Sequence, residues 1–361
     1  MKTFSFVNVL SLALVVTLSI SAHAQQRFVS AAQFMVRPKT SVPGLAGNAA
    51  SAKSFDYVPS EARAVFQTTN TVLTVADFPI GLQESGTLEL QARSSVFDGE
   101  THAYKMVNGK RVEFRLPAAR IYSGVIKNEP GSRVLLTCVD DDMVVSLERA
   151  SGTMLQMSPA TTKKNTLVLQ DNTHGPTNSF SCGFENLPDA HEPMPDVRSI
   201  RATKGSALQA TDQREALVAI ETDRFLWTKM GKDEAKITRY LYTIFATVSW
   251  IYEREVNTSF SIGDIIIHTD IDPDPYTENA NGDIGALLGE FSANWRSSYG
   301  TIKRNVAVLF TVPGKTDVGG IAYLATLCTN RAFAACGIQT TSVLPTQGYQ
   351  WDAFVTAHEI G

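Results

Sequence analysis

The sequence predicts a mostly antiparallel β domain followed by an α/β domain in which helices pack on a sheet. Two patterns carry this. From about Val65 to Leu169 apolar and polar residues alternate: Leu88, Leu90 and Ala92 with Glu89, Gln91 and Arg93, then Val112, Phe114 and Leu116 with Glu113 and Arg115. Period two is the signature of strands with one face toward a core. Farther on, Ile237, Leu241, Ile244, Val248 and Ile251 step by four, three, four and three, marking one face of a helix of about five turns, and strand-like runs flank it. A chain of 361 residues that is 43% hydrophobic is long enough to bury two cores.

Taken in order, Met1 to Ala24 carries Lys2, an apolar run from Val7 to Ile20, and Ala22-His23-Ala24, the small-x-small form that signal peptidase cuts. The run is shorter than the ~20 residues needed to span a bilayer. Residues 1–24 therefore read as a secretory signal, and the expected location is extracellular or periplasmic. Without Lys2, 31 basic side chains face 36 acidic ones, a net of about −5. That balance argues against nucleic-acid binding, which needs a concentrated basic surface. No later stretch is long and apolar enough to cross a membrane.

Residues 25–170 form the β-rich domain. Asn108-Gly109 predicts a hairpin turn, and short strands are expected at Val134 to Thr137, Met143 to Leu147 and Thr166 to Leu169. Residues 171–212 scatter Pro176, Pro188, Pro193 and Pro195 among polar residues, and Arg198 to Lys204 is basic. This is the pattern of an exposed connection open to proteolytic nicking. Residues 213–361 form the α/β domain, with strands at Ala216 to Ile220, Ile262 to His268 and Val306 to Val312 and a helix over Ile284 to Trp295. Gly319 to Leu327 reads as an extended run, and a last helix starts near Trp351 with Asp352 as its N-cap.

The chemistry-bearing residues lie in that helix. His358-Glu359-Ile360-Gly361 matches the first four positions of His-Glu-x-x-His. On a helix, residues four apart share a face, so two imidazoles can bind one zinc while the glutamate points at the metal-bound water. His191-Glu192 is the same dipeptide, but Pro193 and Pro195 forbid a helix there. The cysteines are Cys138, Cys182, Cys328 and Cys336; Cys328 and Cys336, eight apart, are candidates for a small disulfide loop. Asp270, Asp272 and Asp274, interleaved with Pro273 and Pro275, lack the glycine and closing glutamate of an EF-hand and read as a plain turn.

Ala357-His358-Glu359-Ile360-Gly361 resembles the opening of the metzincin zinc motif, in particular that of the reprolysin (adamalysin-like, M12B) branch. Val218 to Asp223 with Arg224-Phe225 resembles the branch's first strand. Gly319-Gly320-Ile321-Ala322-Tyr323-Leu324-Ala325-Thr326-Leu327-Cys328 resembles the strand that rims its substrate cleft. Tyr122-Ser123-Gly124-Val125 and Pro130-Gly131-Ser132-Arg133-Val134 resemble its propeptide.

The resemblance implies a metzincin-like catalytic domain, incomplete here, after a propeptide-like domain: a secreted zinc endopeptidase precursor acting on peptides or proteins. His358 would bind Zn2+, and Glu359 would take a proton from the zinc-bound water, whose pKa the metal lowers. Gly319, Gly320, Ile321 and Ala322 would pair with the substrate backbone. Cys182 would be a zymogen switch, its thiolate filling the open zinc position. A disulfide between Cys182 and Cys138 is the alternative. A catalytic zinc takes three protein ligands, and the other two are expected one and seven positions past Gly361, so residues 1–361 are expected to be inactive. The other functional class is a secreted non-catalytic binding or adhesion protein with the same fold.

Overall fold

The computed structural model describes residues 26–36, 52–67, 72–160, 163–173, 213–277, 282–312, 319–338 and 347–361; the expected signal segment, His191-Glu192 and Cys182 lie outside them. The first half runs β1 (Gln26–Ser30), β2 (Met35–Val36), β3 (Ala52–Tyr57), α1 (Pro59–Phe66), β4 (Val72–Pro79), β5 (Ser85–Arg93), β6 (Phe97–Val107), β7 (Lys110–Phe114), β8 (Ala119–Ile126), β9 (Arg133–Val139), β10 (Asp142–Glu148), β11 (Met154–Pro159) and β12 (Thr166–Asp171). The second half runs β13 (Arg214–Thr222), α2 (Arg224–Lys229), α3 (Glu234–Val256), β14 (Thr258–Ile267), α4 (Ile284–Ser298), β15 (Val306–Thr311), β16 (Gly320–Ala322), β17 (Phe333–Gly337) and α5 (Gln347–Ile360).

Among the described residues ten strands make the first sheet, in the order β1-β4-β5-β8-β9-β10-β11-β12-β3-β2, and of their pairings only β1–β4 is parallel. One face carries a core that includes Leu88, Tyr122, Leu136, Val145 and Leu169; the alternating run at Leu88 and Leu90 faces it, whereas the second alternating run belongs to β7 of the other sheet, where Val112 is exposed. Tyr122 is fully buried and its hydroxyl donates to the Phe66 carbonyl at 2.6 Å, tying α1 to the sheet. Two residues on, Gly124 lies so close to the Glu89 carbonyl that any Cβ would collide with backbone.

The second sheet is mixed, in the order β16-β17-β15-β13-β14-β6-β7. Its inner strands are parallel, and the two edge strands, β16 and β7, run antiparallel to their neighbours. The mixed α/β architecture expected for the second half is therefore present. One membership departs from the sequence order: β6 and β7 lie within residues 25–170, yet they hydrogen-bond into the sheet of the second half. The turn between them is the expected one, with Asn108 and Gly109 both at positive φ (51° and 70°), as a two-residue hairpin requires.

Helix α3 packs on β14, on α5 and on β9 of the first sheet. The single apolar stripe read from Ile237 to Ile251 understates its burial, since Tyr240, Tyr242, Thr243 and Phe245 are also buried. A helix covered on more than one side needs apolar residues around most of its circumference. Asp233 caps its start by accepting from the Lys236 N–H at 3.0 Å, and Asn257 ends it in the left-handed conformation. Among the described residues no helix is long and apolar enough to cross a membrane.

Gly124→Ala is expected to destabilise the chain by about 3 kcal/mol, because the added methyl must push β5 and β8 apart. Denaturant unfolding measures this, and a change below ~0.5 kcal/mol would mean that the close approach is not required.

Candidate active site

The last helix is fixed before it reaches its functional residues. Asp352 does not cap it; α5 begins at Gln347, and Asp352 lies inside it, fully buried, accepting from the Tyr240 hydroxyl of α3. One turn on, the Thr356 hydroxyl donates to the Asp352 carbonyl at 2.7 Å. The Tyr252 hydroxyl donates to the Ala357 carbonyl at 2.7 Å. Two tyrosines twelve residues apart on α3 thus pin α5 at both ends of the turn that precedes His358.

His358 is exposed, with its ring 6.3 Å from that of Phe354. Glu359 is only 5% exposed. Burial raises its carboxyl from 4.5 to about 8, because a charge in a poorly solvated site is disfavoured. Its Oε1 makes no hydrogen bond among the described residues. The carboxylate lies against the bare Cα of Gly320: a Cβ there would meet Glu359 Cγ at 2.6 Å and Oε1 at 2.7 Å. Only glycine leaves room for this close approach. His358, Glu359, Ala322, Tyr323, Leu324 and Tyr252 are among the residues lining a cleft of about 360 Å³.

Among the described residues β16 forms one edge of the second sheet, pairing on its inner side with β17 in the register Gly320 to Cys336 and Ala322 to Ala334. Gly319, Gly320, Ile321 and Ala322 are all buried. The extended run expected through Leu327 is shorter, since turns take over after Ala322. Ala325 and Cys328 adopt positive φ there, 55° and 64°.

The proposed Cys328–Cys336 loop is not formed. Cys336 is buried in β17, where strand pairing fixes its direction, and Cys328 sits on an exposed turn, its sulfur accepting from the Asn305 amide at 3.2 Å; both are free thiols. Cys138 is also a free thiol, wholly buried. The three aspartates of the proline-rich turn serve separate partners. Asp270 pairs with Lys232, Asp272 accepts from the Gly109 N–H at 2.5 Å, and buried Asp274 accepts from the N–H groups of Arg224 and Tyr276 at 2.8 and 3.1 Å.

A buried polar network at the ends of β13 and β14 escaped the sequence reading. Glu221 is fully buried and accepts from Tyr276 hydroxyl at 2.5 Å, from His268 Nε2 at 3.0 Å and from the Trp295 indole. Nearby, Asp223 caps α2 by accepting from the Leu226 N–H at 2.8 Å and also accepts from the Thr311 hydroxyl. The available signal was Glu221 itself, a carboxylate at the end of an otherwise apolar strand, which needs partners to be buried.

Among the described residues no three His, Cys, Asp or Glu side chains gather as a metal would require. One imidazole does not make a catalytic zinc site, so the residues present do not by themselves fit the metal.

Residues 212–361 match the family model Reprolysin_5, metallo-peptidase family M12, in agreement with the resemblance carried by His358-Glu359. Among solved structures the chain is similar to metalloproteinase-II from Bacteroides fragilis, at 11% identity over 93% of this chain and 87% of that one, with a TM-score of 0.41. No curated protein matches it.

Two expectations follow. Gly320→Ala is expected to cost about 1–3 kcal/mol through overpacking against Glu359, and Glu359→Ala in the same chain is expected to relieve at least ~1 kcal/mol of that; additive unfolding energies would disprove the contact. Burial lifts Asp223 from 3.8 to about 7, outweighing the hydrogen bonds from Thr311 and Leu226. At His268 burial lowers the pKa, but the hydrogen bond and charge of Glu221 together outweigh it, so the net shift is upward. In both cases the folded state holds the proton more tightly than the unfolded chain. Stability from Asp223 is therefore full below about pH 4 and lost by pH 7, and that from His268 is lost as pH rises above 6.5. Between pH 5 and 8 wild type should lose more stability than Asp223→Asn, by a difference of order 3 kcal/mol; parallel curves would exclude the assignment.

Proposed function

We propose that this chain is the precursor of a secreted, zinc-dependent endopeptidase of the reprolysin branch, its first half serving as the propeptide and Cys182 as the zymogen switch. Peptides and proteins are the substrates that a metallopeptidase-family domain takes. The observation that carries the reading is the seat of Glu359: a buried carboxyl raised to about 8, with one oxygen that makes no hydrogen bond among the described residues, beside a strand that forms a sheet edge among them. A carboxyl with a pKa near neutrality takes a proton from water and returns it to a leaving amine with little loss either way.

Substrate backbone would pair with β16, in the manner of strand addition, and the absence of a side chain at Gly320 would let it pass close to Glu359. His358 would contribute one zinc ligand. No step is assigned to the metal, because the described residues gather no donor set that holds it. The reading as an adhesion module with the same fold gives no reason for a buried, unpartnered carboxylate oxygen.

The test is a peptidase assay on the protein made from its complete reading frame. Turnover is expected, abolished by a chelator and lowered about 10²–10⁴-fold by Glu359→Gln, with residues 1–361 alone inactive in added zinc. Full activity in Glu359→Gln, or in residues 1–361, would overturn the assignment.

A further inference from the structure

The hairpin β6–β7 belongs to the first half by sequence and to the second by hydrogen bonding. Its parallel pairing with β14 sets Phe97 beside Ile262, His102 beside Asp264, and Ala103, Tyr104 and Lys105 beside Ile265, Ile266 and Ile267. Thr101 hydroxyl donates to the buried Ile262 carbonyl at 2.5 Å, and the Ile262 N–H donates to the Val96 carbonyl at 2.9 Å. At the other end Thr269 hydroxyl donates to the Met106 carbonyl at 3.2 Å and the Gly109 N–H to Asp272 at 2.5 Å. Lys105 pairs with Glu234 at 2.9 Å and Arg111 with Asp264 at 3.8 Å.

The apolar side is equally shared. Phe97 meets Tyr242 of α3 edge to face, ring centroids 4.8 Å apart. Val96, Phe97, Ala103, Ile121, Leu135 and Val139 from the first half lie in one hydrophobic cluster with Val218, Leu241, Phe245 and Ile265 from the second. Interfaces built like an interior, with paired backbone edges and continuous apolar packing, belong to permanent complexes rather than transient ones.

We propose that the β6–β7 hairpin is a non-covalent clamp: scission of the connection at 174–212 leaves the first half seated on the second sheet, and its release requires loss of the β6–β14 pairing. Cutting the connection is then one of two steps, and the second is destruction or displacement of the hairpin. This rests on the reading of residues 171–212 as the processing region, and it needs no peptidase chemistry, so it can fail while the catalytic reading stands, and the reverse.

The experiment inserts a site-specific protease sequence between Lys204 and Gly205 of the full chain. After cutting, both pieces are expected to co-elute at the mass of the uncut protein at micromolar concentration, with hydrogen exchange at Ile265, Ile266 and Ile267 unchanged. Two separate peaks would overturn the proposal. In the cut protein Thr101→Val is expected to raise the dissociation constant about tenfold. Lys105→Glu, which faces Glu234 with a like charge at a part-exposed site, is expected to weaken association several-fold, with recovery in high salt. Should neither variant, folded before cutting, change the dissociation constant, the hairpin is not what holds the halves together.

Discussion

Helix α3 needs cover on more than one side, and the rest of the molecule is arranged to give it. Ile237, Leu241, Ile244 and Val248 are buried, and so are Tyr240, Tyr242 and Phe245. Each such side chain contributes roughly 1.5–3 kcal/mol when removed from water, too much to leave exposed in a protein of marginal stability. The first sheet supplies part of the cover through β9, and α5 supplies more. Both contacts bear on function, since one seats the N-terminal half and the other seats His358 and Glu359. Arg239, on the same helix, reaches Asp142 at 3.1 Å and Asp140 at 3.9 Å in the first half, which adds register to what apolar packing alone would leave free to slide.

Burying Glu359 demands space and a reason. The space comes from Gly320, whose missing side chain admits the carboxylate, and the rigidity comes from the Tyr240–Asp352 and Tyr252–Ala357 hydrogen bonds that hold α5 on α3. The carboxyl's neighbours add to the effect of burial. Cys336, opposite Gly320 in the ladder, is itself pushed well above the usual thiol range, first by burial and then by the charge of Glu359. A neutral thiol beside a carboxyl that is protonated near neutral pH leaves little net charge in this part of the core, which lets it pack without ion pairs. The Glu221 network solves the same problem differently, with three donors on one carboxylate.

Much of this was legible in the sequence. The period-two run at Leu88 to Arg93 and the short run at Met143 to Leu147 became β5 and β10, and the Asn108-Gly109 turn formed as written. The His358-Glu359 dipeptide fell on a helix, next to the glycines singled out at 319 and 320. The rest was hidden because it depends on partners distant in sequence. Nothing local in Phe97 to Val107 says that this strand pairs with Ile262 to Ile267 rather than with its sequence neighbours. Asp352 looks like a cap until Tyr240, 112 residues away, is found to donate to it. Cys328 and Cys336 are close in number, but strand β17 buries one sulfur while a turn exposes the other. The Tyr122-x-Gly124 pattern was visible only as a resemblance; its physical content, a buried hydroxyl on Phe66 and a backbone contact with Glu89, required the fold.

The second sheet has two edges, and they are put to opposite uses. At one end β16 leaves an edge beside Glu359; at the other β14 is capped by β6 and β7. An uncovered edge is a template for any passing strand, useful to an enzyme that reads extended peptides and hazardous elsewhere. Covering the β14 edge from within the chain moves that edge out to β7, whose exposed Lys110, Arg111 and Glu113 disfavour further pairing, without touching the edge where substrate would bind. Retention of the first half and occlusion of the site are therefore separable by geometry: four strands, β17, β15, β13 and β14, stand between the hairpin and β16. Residues that silenced Glu359 in a precursor would lie outside the hairpin, so the proposed clamp is compatible with an open site. The cost is that a second domain stripped of the hairpin exposes the ladder groups of β14 and the apolar face around Ile262 and Ile265, which forces it either to keep a strand there or to find another.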